Sequence, residues 1–313
     1  MLRVINKPIR KELRMWQPPR GAILVCVDGS AAALGAVRWA AREAVLLNAP
    51  LTLVHISDAP LPQWFEVAAP PGLRQGQEQR AREFIKTATR IAEESTGEYG
   101  PAQIVSKIFN SATIPTLVAL SAQVEMVVVG YRGHGGGLAR GCLGSVSSAL
   151  VYHAHCPVAV VHDDQTAIDT VERAPVLVGI DGSPASEAAT AIAFGEASRR
   201  GVGLMALHAW TDPWISGFRA SFQDSRWDAR LSEQEEILAE RLAGWHERYP
   251  DVAIHRTVEI GDPARWLIDA SQQAQLLVVG SHGCSRFRGS LLGSVGAAAV
   301  TKAHIPVIVA RQP

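Results

Sequence analysis

Two stretches decide how this chain folds: VVGSHGCSRFRGSLLGSV at Val278–Val295 and VVGYRGHGGGLARGCLGSV at Val128–Val146. Each leaves an apolar run at a glycine, crosses a glycine-rich segment and ends on Gly-Ser-Val, where an apolar helix of small residues begins. A strand-to-helix turn of this kind has two physical uses. It gives the backbone room to reverse, or it lets N–H groups at the helix start approach an anion. No GxxxxGK[ST] occurs in the chain, so neither stretch is a Walker A loop.

Working outward, the whole chain proves to be written twice. ILVCVDGS, ending at Ser30, returns as VLVGIDGS, ending at Ser183, so Asp28 maps onto Asp181. LTLVHI at Leu51 returns as LMALHA at Leu204, and the segment from Leu143 through CPVAVV returns from Leu292 through IPVIVA. The polar segment His162–Pro175, HDDQTAIDTVERAP, joins the copies. The predicted organisation is a basic extension over 1–20, a first domain over 21–162, a linker over 163–174 and a second domain over 175–313.

Within a copy, short Val-, Ile- and Leu-rich runs alternate with longer segments of helical spacing. Strands are predicted near 22–27, 51–56, 103–109, 126–129 and 158–161. Their runs are nearly continuous, as expected of strands covered on both faces. Leu34, Val37, Ala41 and Ala44 mark a helical stripe, QEQRAREFIKTATRIAEE gives a second helix, and Asp262-Pro263 reads as a capped helix start. The fold class is α/β, two tandem doubly wound domains with helices on both faces of a parallel sheet. In such sheets ligands bind beyond the carboxyl ends of the strands, where strand order reverses, and the repeated Asp and glycine motifs both end strands.

Of the 313 residues, 47% are hydrophobic and 19% charged, with no run of 18 apolar residues, which predicts a soluble globular protein with no membrane role. Thirty basic residues balance thirty acidic ones, leaving no overall field to attract nucleic acid. Cys26, Cys142, Cys156 and Cys284 form no CxxC pair, which fits free thiols in a reducing, cytoplasmic setting. His55 and His208 end buried strands and read as structural, and His134, His153 and His155 match no zinc spacing, so no metal ligand is assigned. Arg286 and Arg288 are charge donors or solvated loop residues. The aromatic segment holding Trp210, Trp214, Phe218, Phe222 and Trp227 is a lid, an interface or a packed connector.

The DGS after strand one, the His ending strand two, and GxxG with a later Gly-Ser before HxPV resemble the universal stress protein family. The resemblance covers both halves, and the tandem form is similar to two-domain actinobacterial members. Its ATP-binding subgroup carries G-x2-G-x9-G-[ST], which Gly280, Gly283, Gly293 and Ser294 match. The resemblance implies ATP there, with Asp181 on the nucleoside, the backbone near Ala209 on the adenine, and the amides of Ser294 and Val295 on the phosphates. Asp28, Ile56, Gly130, Gly133, Gly144, Ser145 and Val146 take those places in the first copy, whose loop has ten residues where the pattern has nine. It also implies strand order 3-2-1-4-5 and pairing through the last strands, within one chain or in a homo-oligomer. A magnesium ion accompanying the phosphates through water needs no dedicated protein cage.

Three functions fit these residues. The first is a nucleotide-dependent sensor or switch in stress response. The second is a slow ATP hydrolase, for which no general base, catalytic lysine or acid pair stands out in the sequence. The third is a dimeric scaffold that holds no nucleotide.

Overall fold

The computed structural model describes residues 15–57, 71–101, 103–133, 142–162, 173–210, 225–283 and 292–311. The chain divides into two units between Asp163 and Asp164. In the first, β1 (Ile23–Cys26), β2 (Leu51–Ser57), β3 (Ile104–Asn110), β4 (Met126–Gly130) and β5 (Val158–Val161) form a sheet in the order β3-β2-β1-β4-β5, with every pairing parallel. Helices α1 (Ala31–Leu46), α2 (Pro71–Thr96), α3 (Thr113–Leu120) and α4 (Ser145–His153) connect successive strands.

The second unit repeats this plan. Strands β6 (Val176–Gly179), β7 (Leu204–Trp210), β8 (Ile254–Ile260), β9 (Leu276–Gly280) and β10 (Val307–Ala310) run in the order β8-β7-β6-β9-β10, again parallel throughout. Helices α5 (Pro184–Arg200), α6 (Ser225–Arg248), α7 (Pro263–Ser271) and α8 (Ser294–Lys302) link them. Each unit therefore has the expected order 3-2-1-4-5, and its central strands are buried along their length. Ile23, Leu24, Val127, Val128, Val176, Leu177, Leu277 and Val278 have no exposed surface. That burial on both faces is why the strand sequences are apolar without alternation.

Helix α1 buries more than its predicted stripe. Ala32, Ala33, Ala36, Val37, Ala40, Ala41 and Ala44 are all buried, while Leu34 is only half-buried. An alanine-rich helix packs its backbone close to its neighbours, so the contact face widens and the one large residue at its margin is displaced outward. Helix starts follow local chemistry. Ser30 and Ser183 cap α1 and α5 by accepting the amides of Ala33 and Ser186, each at 3.2 Å. Asp262 accepts the Ala264 amide at 3.0 Å, with Pro263 at the first helical position as the sequence predicts.

His55 and His208 latch the sheet. In each copy the ring Nδ1–H donates to the carbonyl that follows the first strand, Val27 or Ile180, at 2.7 Å. A carbonyl only accepts, so this bond fixes the ring's tautomer and uses the histidine structurally. At the amino-terminal side, Trp16 sets its ring edge-on to Phe109 with centroids 5.5 Å apart. Among the described residues no helix is long and apolar enough to cross a membrane.

Candidate functional site

Parallel pairing of β1 with β4, and of β6 with β9, brings the two repeated motifs side by side. Beyond β1 the chain enters an Asp-Gly-Ser turn. Asp28 Oδ1 accepts the Ser30 amide at 2.9 Å and the Ser30 hydroxyl at 2.6 Å, and Asp181 Oδ1 accepts the Ser183 amide at 2.9 Å. The central glycines, Gly29 and Gly182, stand at φ +82° and +77°, which a side chain rarely tolerates. The turn thus fixes each carboxylate through Oδ1.

The second oxygen meets the glycine loop. A methyl group on Gly283 would stand 2.7 Å from Asp181 Oδ2, and one on Gly133 would overlap Asp28 Oδ2. Acid and loop accordingly share one crevice in each copy. Ile56 and Ala209 lie beside the same turn. The amide of Val27 bonds Val54 and that of Ile180 bonds Leu207, two residues before Ile56 and Ala209.

The repeated glycines divide by role. Gly130 and Gly280, which close β4 and β9, leave no room for a side chain. A methyl there would come within 2.6 Å of the Ala32 carbonyl and 2.8 Å of the Ala185 carbonyl carbon. Their absence of a side chain serves close helix–strand packing, the structural use of the motif. Gly144 and Gly293 are different: both are extended N-cap residues whose nearest neighbours would lie 3.4 and 3.5 Å from an added methyl. A glycine cap has no side chain to satisfy the helix-start amides, which leaves those of Ser145 and Val146, and of Ser294 and Val295, without a capping group from it.

The extra residue of the first loop does not change how the loop closes. Gly144 N–H donates to Tyr131 O at 2.9 Å, and Gly293 N–H donates to Ser281 O at 2.7 Å. The length difference lies between Gly133 and Gly144, and most of that stretch, 134–141, falls outside the described residues, as does 284–291 in the second copy. So do His134, Cys284, Arg286 and Arg288, and the predicted aromatic segment after Trp210 through the side chain of Trp227.

Sequence reasoning missed several residues around the crevice. Ser183 Oγ donates to His282 O at 3.2 Å, tying the Asp turn to the loop of the second copy, and the Ser186 hydroxyl accepts the Gly182 amide at 3.1 Å. Ser147 Oγ donates to Gly130 O at 2.7 Å in the first. The Phe84 ring lies on Gly29 and stands edge-on to His55, at 5.5 Å between centroids, whereas the Arg241 guanidinium lies on Gly182. Such contacts join residues far apart in sequence, and Phe84 and Arg241 are not equivalent types, so the repeat gave no signal for them.

His153 lies in the last turn of α4, at the far end from Ser145, so the structure does not bring it to the loop. His155 donates its backbone amide to Ser121 Oγ. Among the described residues no group of three or more His, Cys, Asp or Glu is arranged to hold a metal ion. Burial, reinforced by the charge of Asp28, pushes the Cys26 thiol up to about 12, which leaves it protonated and unreactive at neutral pH.

A model of the Universal stress protein family matches residues 20–162 and again 172–311. The chain belongs to the universal stress protein family. It is 49% identical over 290 residues to universal stress protein Rv2623 of Mycobacterium tuberculosis, covering 93% of this chain and 96% of that one. It is 47% identical over 294 residues to a universal stress protein of Mycolicibacterium smegmatis, covering 92% of this chain and 96% of that one. The fold is also that of a universal stress protein from Archaeoglobus fulgidus, with a TM-score of 0.66 at 18% identity over 95% of this chain and 100% of that one.

Proposed function

We propose that this universal stress protein binds ATP at one site in each domain and acts in stress response as a nucleotide-dependent sensor or switch. One observation carries the reading: in both copies an oriented carboxylate, Asp28 or Asp181, meets the side-chain-free Gly133 or Gly283 beside a glycine-capped helix start. A carboxylate suits ribose hydroxyls, and helix-start amides suit phosphate oxygens. Asp28, Ile56, Gly133, Gly144, Ser145 and Val146 form the first site, and Asp181, Ala209, Gly283, Gly293, Ser294 and Val295 the second. Gly130 and Gly280 act behind them as packing residues. Magnesium accompanies the phosphates through water.

Both carboxylates serve as hydrogen-bond acceptors within their own turns, which supports binding rather than general-base removal of a proton from water. Among the described residues Cys26, Cys142 and Cys156 form no disulfide, which supports a reducing, cytoplasmic setting. The test is to denature freshly purified protein, identify the released nucleotide by chromatography and take its ratio to chain. Two ATP per chain is the expected result. No nucleotide, and no binding on adding ATP with magnesium, would refute the reading and leave a scaffold.

A further inference from the structure

Beside the first loop stand two side chains, Tyr131 and Arg132, whose counterparts in the second copy are different residues. Tyr131 follows β4 and stacks on His162, just beyond β5, with centroids 4.4 Å apart and planes 25° from parallel. The Arg132 guanidinium lies 5.4 Å from the centre of the Tyr131 ring, and its Nε–H donates to Cys142 O at 2.9 Å. Arg132 thereby spans the loop from its first residues to the segment entering Gly144. The backbone bond from Gly144 to Tyr131 closes the same gap beside it. In the second copy the equivalent residues are Ser281 and His282, and the His282 ring instead turns to the neighbouring Ser281 hydroxyl at 3.0 Å.

This difference coincides with the difference in loop length. The bond from Arg132 Nε–H to Cys142 O ties together the described ends of that longer loop. We infer that Arg132 is a positioning residue of the first site, clamping the longer loop through the Cys142 carbonyl so that the amides of Ser145 and Val146 are held ready for a phosphate. The inference rests on the nucleotide reading for its ligand, but the clamp itself does not.

Nucleotide binding is tested in the full chain with the second site silenced by Gly293→Glu, titrated with ATP and with adenosine. Losing one exposed charge-assisted bond corresponds to at most about a fivefold weakening. Arg132→Ala is expected to weaken ATP by up to that factor and to leave adenosine unchanged, because only the phosphates meet the clamped amides. Arg132→Lys keeps the charge but lacks the flat guanidinium that both stacks and bonds, so it is expected to behave as the alanine variant. Unchanged ATP affinity in Arg132→Ala, equal loss of ATP and adenosine, or full rescue by lysine would each overturn the inference.

A ligand-free measurement separates the clamp from the nucleotide reading. Cys142 is exposed, and its alkylation rate can be followed on its own peptide by mass spectrometry. Arg132→Ala is expected to raise that rate several-fold, because the segment beside the thiol is released. A rate equal to that of the parent chain would overturn the clamp. A raised rate in a chain that binds no ATP would sustain the clamp and refute the nucleotide reading alone.

Discussion

Replacing Gly280 by Ala, and separately Gly293 by Glu, divides what one glycine motif does for the fold from what it does for a ligand. An alanine methyl at 280 would stand 2.8 Å from the carbonyl carbon of Ala185 and 2.9 Å from its oxygen. Carbon atoms attract at about 3.5–4.0 Å and repel well inside that distance, so α5 must move off β9 by several tenths of an ångström. Both neighbours are backbone atoms at a helix start, which no rotamer change can relieve. Overpacking of this kind costs about 1–3 kcal/mol, and the backbone contact puts it in the upper half of that range. For a unit of about 150 residues this lowers the melting temperature by about 4–12 °C.

A Cβ at 293 meets nothing closer than 3.5 Å and the backbone there is ordinary and extended, so the effect of glutamate on stability should stay below about 1 kcal/mol. Its carboxylate instead enters the place proposed for phosphate, where like charges cost several kcal/mol, and ATP binding at that site falls by about a hundredfold. Thermal unfolding by circular dichroism and calorimetric ATP titration read the two effects separately. A melting temperature within 1 °C of the parent for Gly280→Ala would refute the packing argument, and unaltered ATP stoichiometry in Gly293→Glu would refute the ligand argument.

Three further outcomes follow from the same geometry. Ser183→Ala removes both the cap of α5 and the bond to His282 O, and should destabilise the second unit by about 1 kcal/mol in urea unfolding while weakening ATP there. His208→Ala breaks the latch to Ile180 O and should cost about 1–2 kcal/mol with ATP affinity unchanged, so a selective loss of affinity would contradict a structural role. Cys26 binds its proton more tightly in the native state, up to about 12 from an ordinary 9.0. Between those values the folded chain carries more protons than the unfolded one, so stability falls as pH rises, by up to about 1.4 kcal/mol per pH unit. Urea midpoints from pH 9 to pH 11 should therefore fall more steeply for the parent than for Cys26→Ala, and parallel slopes would contradict the shift.

Much of the fold was legible because its signals are local. Apolar runs such as Ile23–Val27 and Leu276–Val279 mark strands buried on both faces, and Asp262-Pro263 marks a helix start without tertiary information. The meeting of Asp28 with the glycine loop was legible only at one remove, since it depends on β1 lying beside β4. The division among the glycines was not legible. Gly130 and Gly144 look alike in the motif, and only the close approach of the Ala32 backbone to one and the ordinary contact distances around the other tell them apart. Arg132 was passed over for a similar reason: its partner, Cys142, lies ten residues on, across a loop whose path no spacing rule describes.

Comparison of the two copies carries the argument one step further than either alone. What they share is backbone geometry: an Asp turn with a left-handed glycine, a side-chain-free loop residue against the carboxylate, and a glycine-capped helix start closed by one hydrogen bond. What they do not share is the surrounding side chains, with the Phe84 ring against the Arg241 guanidinium beside the turn, and Tyr131 and Arg132 against Ser281 and His282 in the loop. A ligand gripped by amides and one carboxylate tolerates such changes, because none of its principal contacts is made by the altered side chains. The same changes alter the charge and stiffness around it. On the proposed function, the two domains therefore take the same class of ligand through the geometry they share, whatever side chains surround it.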